Sequence, residues 1–237
     1  MAADMPLKAP PPIAVFSWTG CYAGLQVGYG TGKSRHTSAG STNGVANGNA
    51  GVDLAPQFNV NGGLGGGEIG CNYQTGNWVL GVEIDGSWAA KSGQANDYNP
   101  PFPGSYLQTT SERWLAMARG RIGYAQDKWL WYVTGGGAWA GIDVQEYDGL
   151  APTLRNSGVQ RVNRGGWVVG FGTEYAVAYG WSVKWETLYM DFGTFRAFDT
   201  TPVACNCGNA DIKLSQWVSR FGLNYKFDSY SPVVAKY

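Results

Sequence analysis

Trp114-Leu-Ala-Met-Ala-Arg-Gly-Arg-Ile-Gly-Tyr124 and, after Ala125-Gln-Asp-Lys128, Trp129-Leu-Trp-Tyr-Val-Thr-Gly-Gly-Gly-Ala-Trp-Ala-Gly141 are the stretch that decides the fold. In the first run Trp114, Ala116, Ala118, Gly120, Ile122 and Tyr124 share one face, while Arg113, Leu115, Met117, Arg119, Arg121 and Gly123 share the other. A period of two means strand. The four-residue break is too short for a crossover and fits a tight turn, so the second run returns antiparallel beside the first. Each run has about the 9–11 residues that a tilted strand needs to cross a bilayer. Charges on one face and aromatic-tipped, uncharged residues on the other predict a membrane barrel.

Composition agrees. Charged residues are 14% of the 237, against roughly 25% in soluble domains, while Gly (36) and Trp (11) are abundant. No run of 18 apolar residues is present, which excludes a membrane helix. Seventeen basic and seventeen acidic residues balance, so the electrostatic footprint of a nucleic-acid binder is missing. Nothing resembling an inter-domain linker divides the chain. The Met-Ala-Ala-Asp start lacks the basic and apolar regions of a signal peptide, and reads as a mature chain with an added Met.

Outward from the hairpin the pattern repeats. Residues 1–17, with Pro6, Pro10, Pro11 and Pro12, read as an extended periplasmic arm. The barrel is expected over 18–227, with 228–237 as a periplasmic extension. Strand one alternates from Cys21 to Gly30. Strand two, about 62–74, sets Glu68 and Asn72 against Ile69, Cys71 and Tyr73. Strand three sets Trp78, Leu80, Val82, Ile84 and Trp88 against Glu83, Asp85 and Ser87. Strand six sets Trp167, Val169, Phe171, Thr173 and Tyr175 against Val168, Gly170, Gly172 and Glu174; strands seven and eight, from Trp181 and Trp217, behave alike. Polar segments at about 31–61, 91–110, 145–163 and 193–212 read as loops. The fold class is therefore all-β, an eight-stranded antiparallel up-and-down transmembrane barrel with short periplasmic turns, long extracellular loops and both termini periplasmic.

Period two alone does not distinguish this from a soluble barrel carrying an apolar ligand. Trp and Tyr at the ends of the uncharged faces favour the membrane, as do the glycines among the charges, which suit a crowded lumen. Trp18-Thr-Gly-Cys-Tyr-Ala-Gly, Arg119-Gly-Arg-Ile-Gly-Tyr124, Tyr132-Val-Thr-Gly-Gly136 and Arg220-Phe-Gly-Leu-Asn-Tyr-Lys-Phe227 resemble the alphaproteobacterial outer-membrane barrel family. These are the RopB-type, immunogenic or porin-like small proteins related to the OmpA membrane domain. The resemblance covers about 18–227. It implies recognition of the aromatic ending at Phe227 by the barrel-assembly machinery, although Asp228 to Tyr237 follow here. It also implies attachment to peptidoglycan through the mature amino terminus, at Ala2 or Ala3.

Inward-facing charges place Glu68, Glu83, Asp85, Glu174 and Glu186 against Arg119, Arg121, Lys184 and Arg220. Mixed signs in a barrel only wide enough for side chains predict an ion-paired plug; a ring of one sign would have suggested ion selectivity. Gly28-Tyr-Gly-Thr-Gly-Lys-Ser34 fails as a phosphate loop, because Val27 stands where the first Gly is required and no helix follows. His36, the lone histidine, reads as a solvated loop residue, so neither a metal centre nor a Ser-His-Asp set is expected. Glu174 and Glu186 match a hydrolase pair in type, yet a plugged lumen gives substrate no entry. The expectation is no enzyme, no cofactor and no metal. An antiparallel hairpin brings Cys21 and Cys71 together, which predicts a bridge and leaves Cys205 and Cys207 to pair with each other; four free thiols are the alternative. The leading function is a structural envelope protein displaying surface loops among lipid and lipopolysaccharide. The alternatives are a small porin-like diffusion channel and a soluble carrier barrel.

Overall fold

A computed structural model describes residues 16–39, 51, 53–96, 106–148, 158–178, 180–197 and 210–227. They form eight strands: β1 (Gly20–Ser38), β2 (Phe58–Thr75), β3 (Trp78–Asn96), β4 (Tyr106–Gln126), β5 (Trp129–Asp148), β6 (Gly158–Ala178), β7 (Trp181–Ala197) and β8 (Ala210–Lys226). Each pairs antiparallel with its sequence neighbour, and β8 returns to β1, closing the barrel. Closure leaves no unpaired edge for the bilayer to solvate. At one end β2–β3 and β4–β5 are joined by two residues each. Gly76 (φ 59°) and Asp127 (φ 52°) take the left-handed conformation that primed hairpin turns need at the first loop position.

The strands run well past the sequence-derived boundaries. Residues expected in loops, 31–38 and 58–61 for example, are paired strand. The reason is a reversal of pattern. Between the Trp and Tyr belts the wall is apolar outside and charged inside; Leu25, Val27, Val82 and Ile84 face outward. Beyond Tyr29, Trp88, Trp114 and Trp217 the outer face turns polar, with Lys33, Arg35 and Lys213, while the inner face gains apolar residues on β5 and β8, Ile142, Val144, Ile212 and Leu214, beside buried polar ones such as Ser34 and Thr110. The chain there is patterned like a soluble barrel, and its Gly, Ser, Thr and Asn content masks the alternation.

On β3 the belts sit at Trp78 and Trp88, an eleven-residue span matching a membrane crossing. Eight further residues reach Asn96. At about 3.3 Å per residue and a tilt near 40°, that lifts the wall roughly 20 Å above the belt.

Arg113 differs from expectation. A register shift between Glu112 and Trp114 marks a bulge, which reverses the alternation. Arg113 therefore points outward and pairs with Asp143 at 2.8 Å, while Glu112 points in. A bulge leaves no periodic trace in the sequence.

Candidate functional site: the filled lumen

The inner face of β4 traverses the whole interior. Near the short turns Ala125 joins Trp18, Val79, Leu130, Tyr132 and Ala176 in an apolar floor. Trp18 is drawn under the barrel by its backbone N–H, which donates to Gln74 Oε1 at 2.7 Å. The Lys226 ammonium donates to the Ser17 carbonyl at 2.5 Å and lies over the Phe16 ring. The end of the Pro-rich segment thus belongs to the floor.

Above the floor, Arg121 and Arg119 enter the ion layer, and all nine charged residues of the sequence-derived set meet there, buried. Arg119 reaches Glu83, Asp85 (3.0 Å) and Glu186 (3.1 Å). Arg220 holds Asp85 with two nitrogens, at 2.8 and 3.1 Å, and also contacts Glu186. Lys184 Nζ lies 2.5 Å from Glu68 and 3.1 Å from Glu83. Arg121 donates to Asn72 (2.9 Å) and Glu174 (3.1 Å). Five carboxylates thus face four cations on six strands. Glu68, Glu83 and Glu186 converge as metal ligands would, but the Lys184 ammonium stands among them and already supplies the positive charge.

Two tyrosines that the charge pattern did not single out complete the layer. Tyr22 lies opposite Gly70, and Tyr132 lies opposite Gly172. A Cβ at Gly70 would come within 2.4 Å of the Tyr22 hydroxyl, and one at Gly172 within 2.6 Å of that of Tyr132. The two rings flank the Arg121 guanidinium at 4.9 and 5.2 Å, close enough for cation–π attraction. Their hydroxyls donate to Glu83 (2.6 Å) and Glu186 (3.0 Å). Tyr22 falls on the inward parity of strand one, the one signal by which it was recognisable.

Further up β4, Met117 and Leu115 join Leu64, Val168, Leu188 and Met190 in an apolar stratum. Next, Glu112 pairs with Lys91 at 2.6 Å, and Lys91 donates to Gln216 at 2.5 Å. At the top Thr110 and Gln108 meet His36 and Ser34. His36, expected in a solvated loop, is fully buried: its Nε2 is 3.0 Å from Thr110 Oγ1 and 3.1 Å from Ser34 Oγ, and its Nδ1 is 3.3 Å from Gln108 Oε1. Burial pushes the imidazole pKa down to about 4, against the smaller opposing pull of Gln108. Leu54 and Ala55 are buried beside it, the Leu54 amide donating to the His36 carbonyl at 3.0 Å.

On the outer wall at the short-turn end, Cys21 and Cys71 are directly opposed, 4.0 Å apart at Cα, and disulfide-bonded. Cys205, Cys207, Ala2 and Ala3 lie outside the described residues.

An apolar belt outside and a packed, ion-paired core inside define a barrel built for a bilayer. The chain belongs to the outer membrane protein beta-barrel domain family, whose profile matches residues 9–227, and it is an outer-membrane protein. It is similar to the 31 kDa outer-membrane immunogenic protein of Brucella melitensis, with 30% identity across 96% of this chain and 93% of that one. The 25 kDa outer-membrane immunogenic protein of Brucella abortus is 28% identical over 94% and 85%. Among solved structures, the outer membrane protease OmpT of Escherichia coli superposes with a TM-score of 0.56 at 12% identity, covering 92% of this chain and 99% of that one. OprG of Pseudomonas aeruginosa gives 0.54 at 14% identity, over 89% and 97%. At such identities the likeness shows the fold alone.

Proposed function

We propose that this protein is a structural component of the outer membrane, a closed stake that stabilises the envelope and carries its loops above the lipid headgroups. The observation that carries this reading is the filled lumen: an apolar floor, an ion-paired layer and an apolar stratum succeed one another across the membrane span. A diffusion channel needs a continuous polar path, and the stratum around Leu115 and Met117 interrupts it. Buried ion pairs are weak contributors to stability but tolerate no missing partner, which suits a plug. A catalytic role is disfavoured because Ser34, His36 and Thr110 are wholly buried.

The polar, extended end faces outward and the short turns face the periplasm in this reading. Both Trp18 and Lys226 stand at the short-turn end, so the arm before Phe16 enters the periplasm, where Ala2 or Ala3 would meet peptidoglycan. Similarity to immunogenic outer-membrane proteins supports display at the surface.

Deletion in the native host should sensitise cells to bile detergents, with recovery on re-expression of the full chain. A variant lacking residues 2–15 should insert normally and restore protection only in part, and digested sacculi should yield a muropeptide joined to the Ala2 or Ala3 amine. Unchanged detergent resistance combined with slowed uptake of a small solute would overturn the structural reading in favour of a channel.

A further inference from the structure

Just above the Trp and Tyr belt, the outer wall carries six cations among the described side chains, Lys33, Arg35, Arg113, Arg161, Arg196 and Lys213. Four carboxylates share that face among the described side chains, Asp53, Asp143, Asp191 and Asp211, which leaves these ten groups with a net charge of +2. The arginines are all paired. Arg35 holds Asp53 with two nitrogens at 2.7 and 2.9 Å, Arg196 lies 3.0 Å from Asp211, and Arg113 and Arg161 share Asp143 at 2.8 and 4.0 Å. Asp191 turns back to accept the Gly193 amide at 2.7 Å. Lys33 and Lys213 have no carboxylate partner among the described residues.

These two lysines are neighbours. Lys213 stands opposite Arg35 across the β1–β8 seam, and Lys33 stands opposite Ser215, one step nearer the membrane on the same face. Diagonal neighbours of this kind are on the order of 7 Å apart, and like charges so placed repel unless an anion lies between them. Asn59 of β2 flanks Lys33 on its other side. The row directly below is Thr31 opposite Trp217, then Tyr29 opposite Ser219. Such aromatics sit at the headgroup level of a bilayer, so the lysines reach the plane of lipid phosphates with a hydroxyl and an amide beside them.

We propose that Lys33 and Lys213 form a docking site for the phosphate groups of an outer-leaflet lipid, the lipid A moiety of lipopolysaccharide. The source of the phosphate rests on the orientation proposed above, which puts this end of the barrel in the outer leaflet. Lysine is suited to the task, being a mobile point charge that binds phosphate without demanding one geometry. The paired arginines fix the wall while the lysines remain available.

The test is native mass spectrometry of the full chain in neutral detergent, titrated with bisphosphoryl lipid A and with its dephosphorylated form. The wild type should retain the phosphorylated lipid in preference. Lys33→Gln with Lys213→Gln should weaken that binding roughly thirty-fold, at about five-fold per lysine near a membrane surface, and Lys33→Arg with Lys213→Arg should restore it. Heat-modifiable migration of each variant in detergent gels reports that the barrel is closed. Equal binding by the Gln variant, or equal binding of the dephosphorylated lipid, overturns the site. An epitope inserted after Gly44 and stained on intact cells tests the orientation separately: a hidden epitope refutes lipid A as the source, whereas an exposed epitope with no difference between variants refutes the site alone.

Discussion

Arg121 illustrates how a charge is kept inside a membrane barrel. Its guanidinium is clasped by two tyrosine faces and spends its hydrogen bonds on Asn72 and Glu174. Arg121→Ala leaves Glu174 with only Ser182 and Asn224 as donors, and should destabilise the barrel by about 3–5 kcal/mol in urea unfolding from lipid. Adding Glu174→Gln should recover part of the loss; no loss in the single variant would mean that the ion layer is not a plug. At the far end, His36 makes a pH prediction. The buried imidazole stays neutral down to about 4, while the unfolded chain titrates near 6.5. Between those values the unfolded state binds more protons, so stability is full above about pH 6.5 and falls as the pH drops toward 4. The decline from this residue is at most about 3 kcal/mol and should vanish in His36→Gln. It is measured as the difference between wild-type and variant melting temperatures at pH 7.5 and 4.5.

At the scale of the element, the outer face of the wall changes from apolar to polar along the strands, and a single strand tests where the change falls. Ile84→Arg, midway between Trp78 and Trp88, should impair insertion by about 2–4 kcal/mol, whereas Ser92→Arg on the same outer face should be neutral in the same refolding assay. Similar costs at both positions would place Ser92 in lipid. The β1–β2 hairpin adds a covalent prediction. The Cys21–Cys71 bridge spans 50 residues, and Cys21→Ser should cost on the order of 2–4 kcal/mol; alkylation of Cys21 and Cys71 without reductant would show that no bridge forms. Alternation places the nine lumen charges on one face of their strands, and the structure buries all nine. Three things escaped it. The bulge at Arg113 has no periodic signature. The outer halves of β5 and β8 invert their pattern, and on β1 the buried residues there are the polar Ser34, His36 and Ser38, so His36 looked solvated when it is buried. Finally, facing does not reveal neighbourhood: Val168 shares the inward parity of Glu174, yet it packs in the apolar stratum with Leu188 and Met190, where an arginine would have no partner.

For the whole molecule, the sequence predicts eight strands and a balanced interior, and the closed barrel shows how the balance is used. Charges from six strands, five carboxylates and four cations, pair with one another in a single layer, and apolar strata above and below shield it from water. Such layering resembles the core of a soluble domain more than a pore, so a porin-like family resemblance does not require conduction. The strands beyond the belts keep a packed interior, with Ile142, Val144, Ile212 and Leu214 buried. What alternation could not convey is the packing that joins these layers, since it depends on which strands face one another across the lumen. The central claim, that the lumen is closed, is tested most directly by planar-bilayer recording of the refolded full chain in 1 M KCl. The account predicts a flat baseline with no discrete events after insertion is verified; reproducible unitary current steps from the wild-type protein would contradict it.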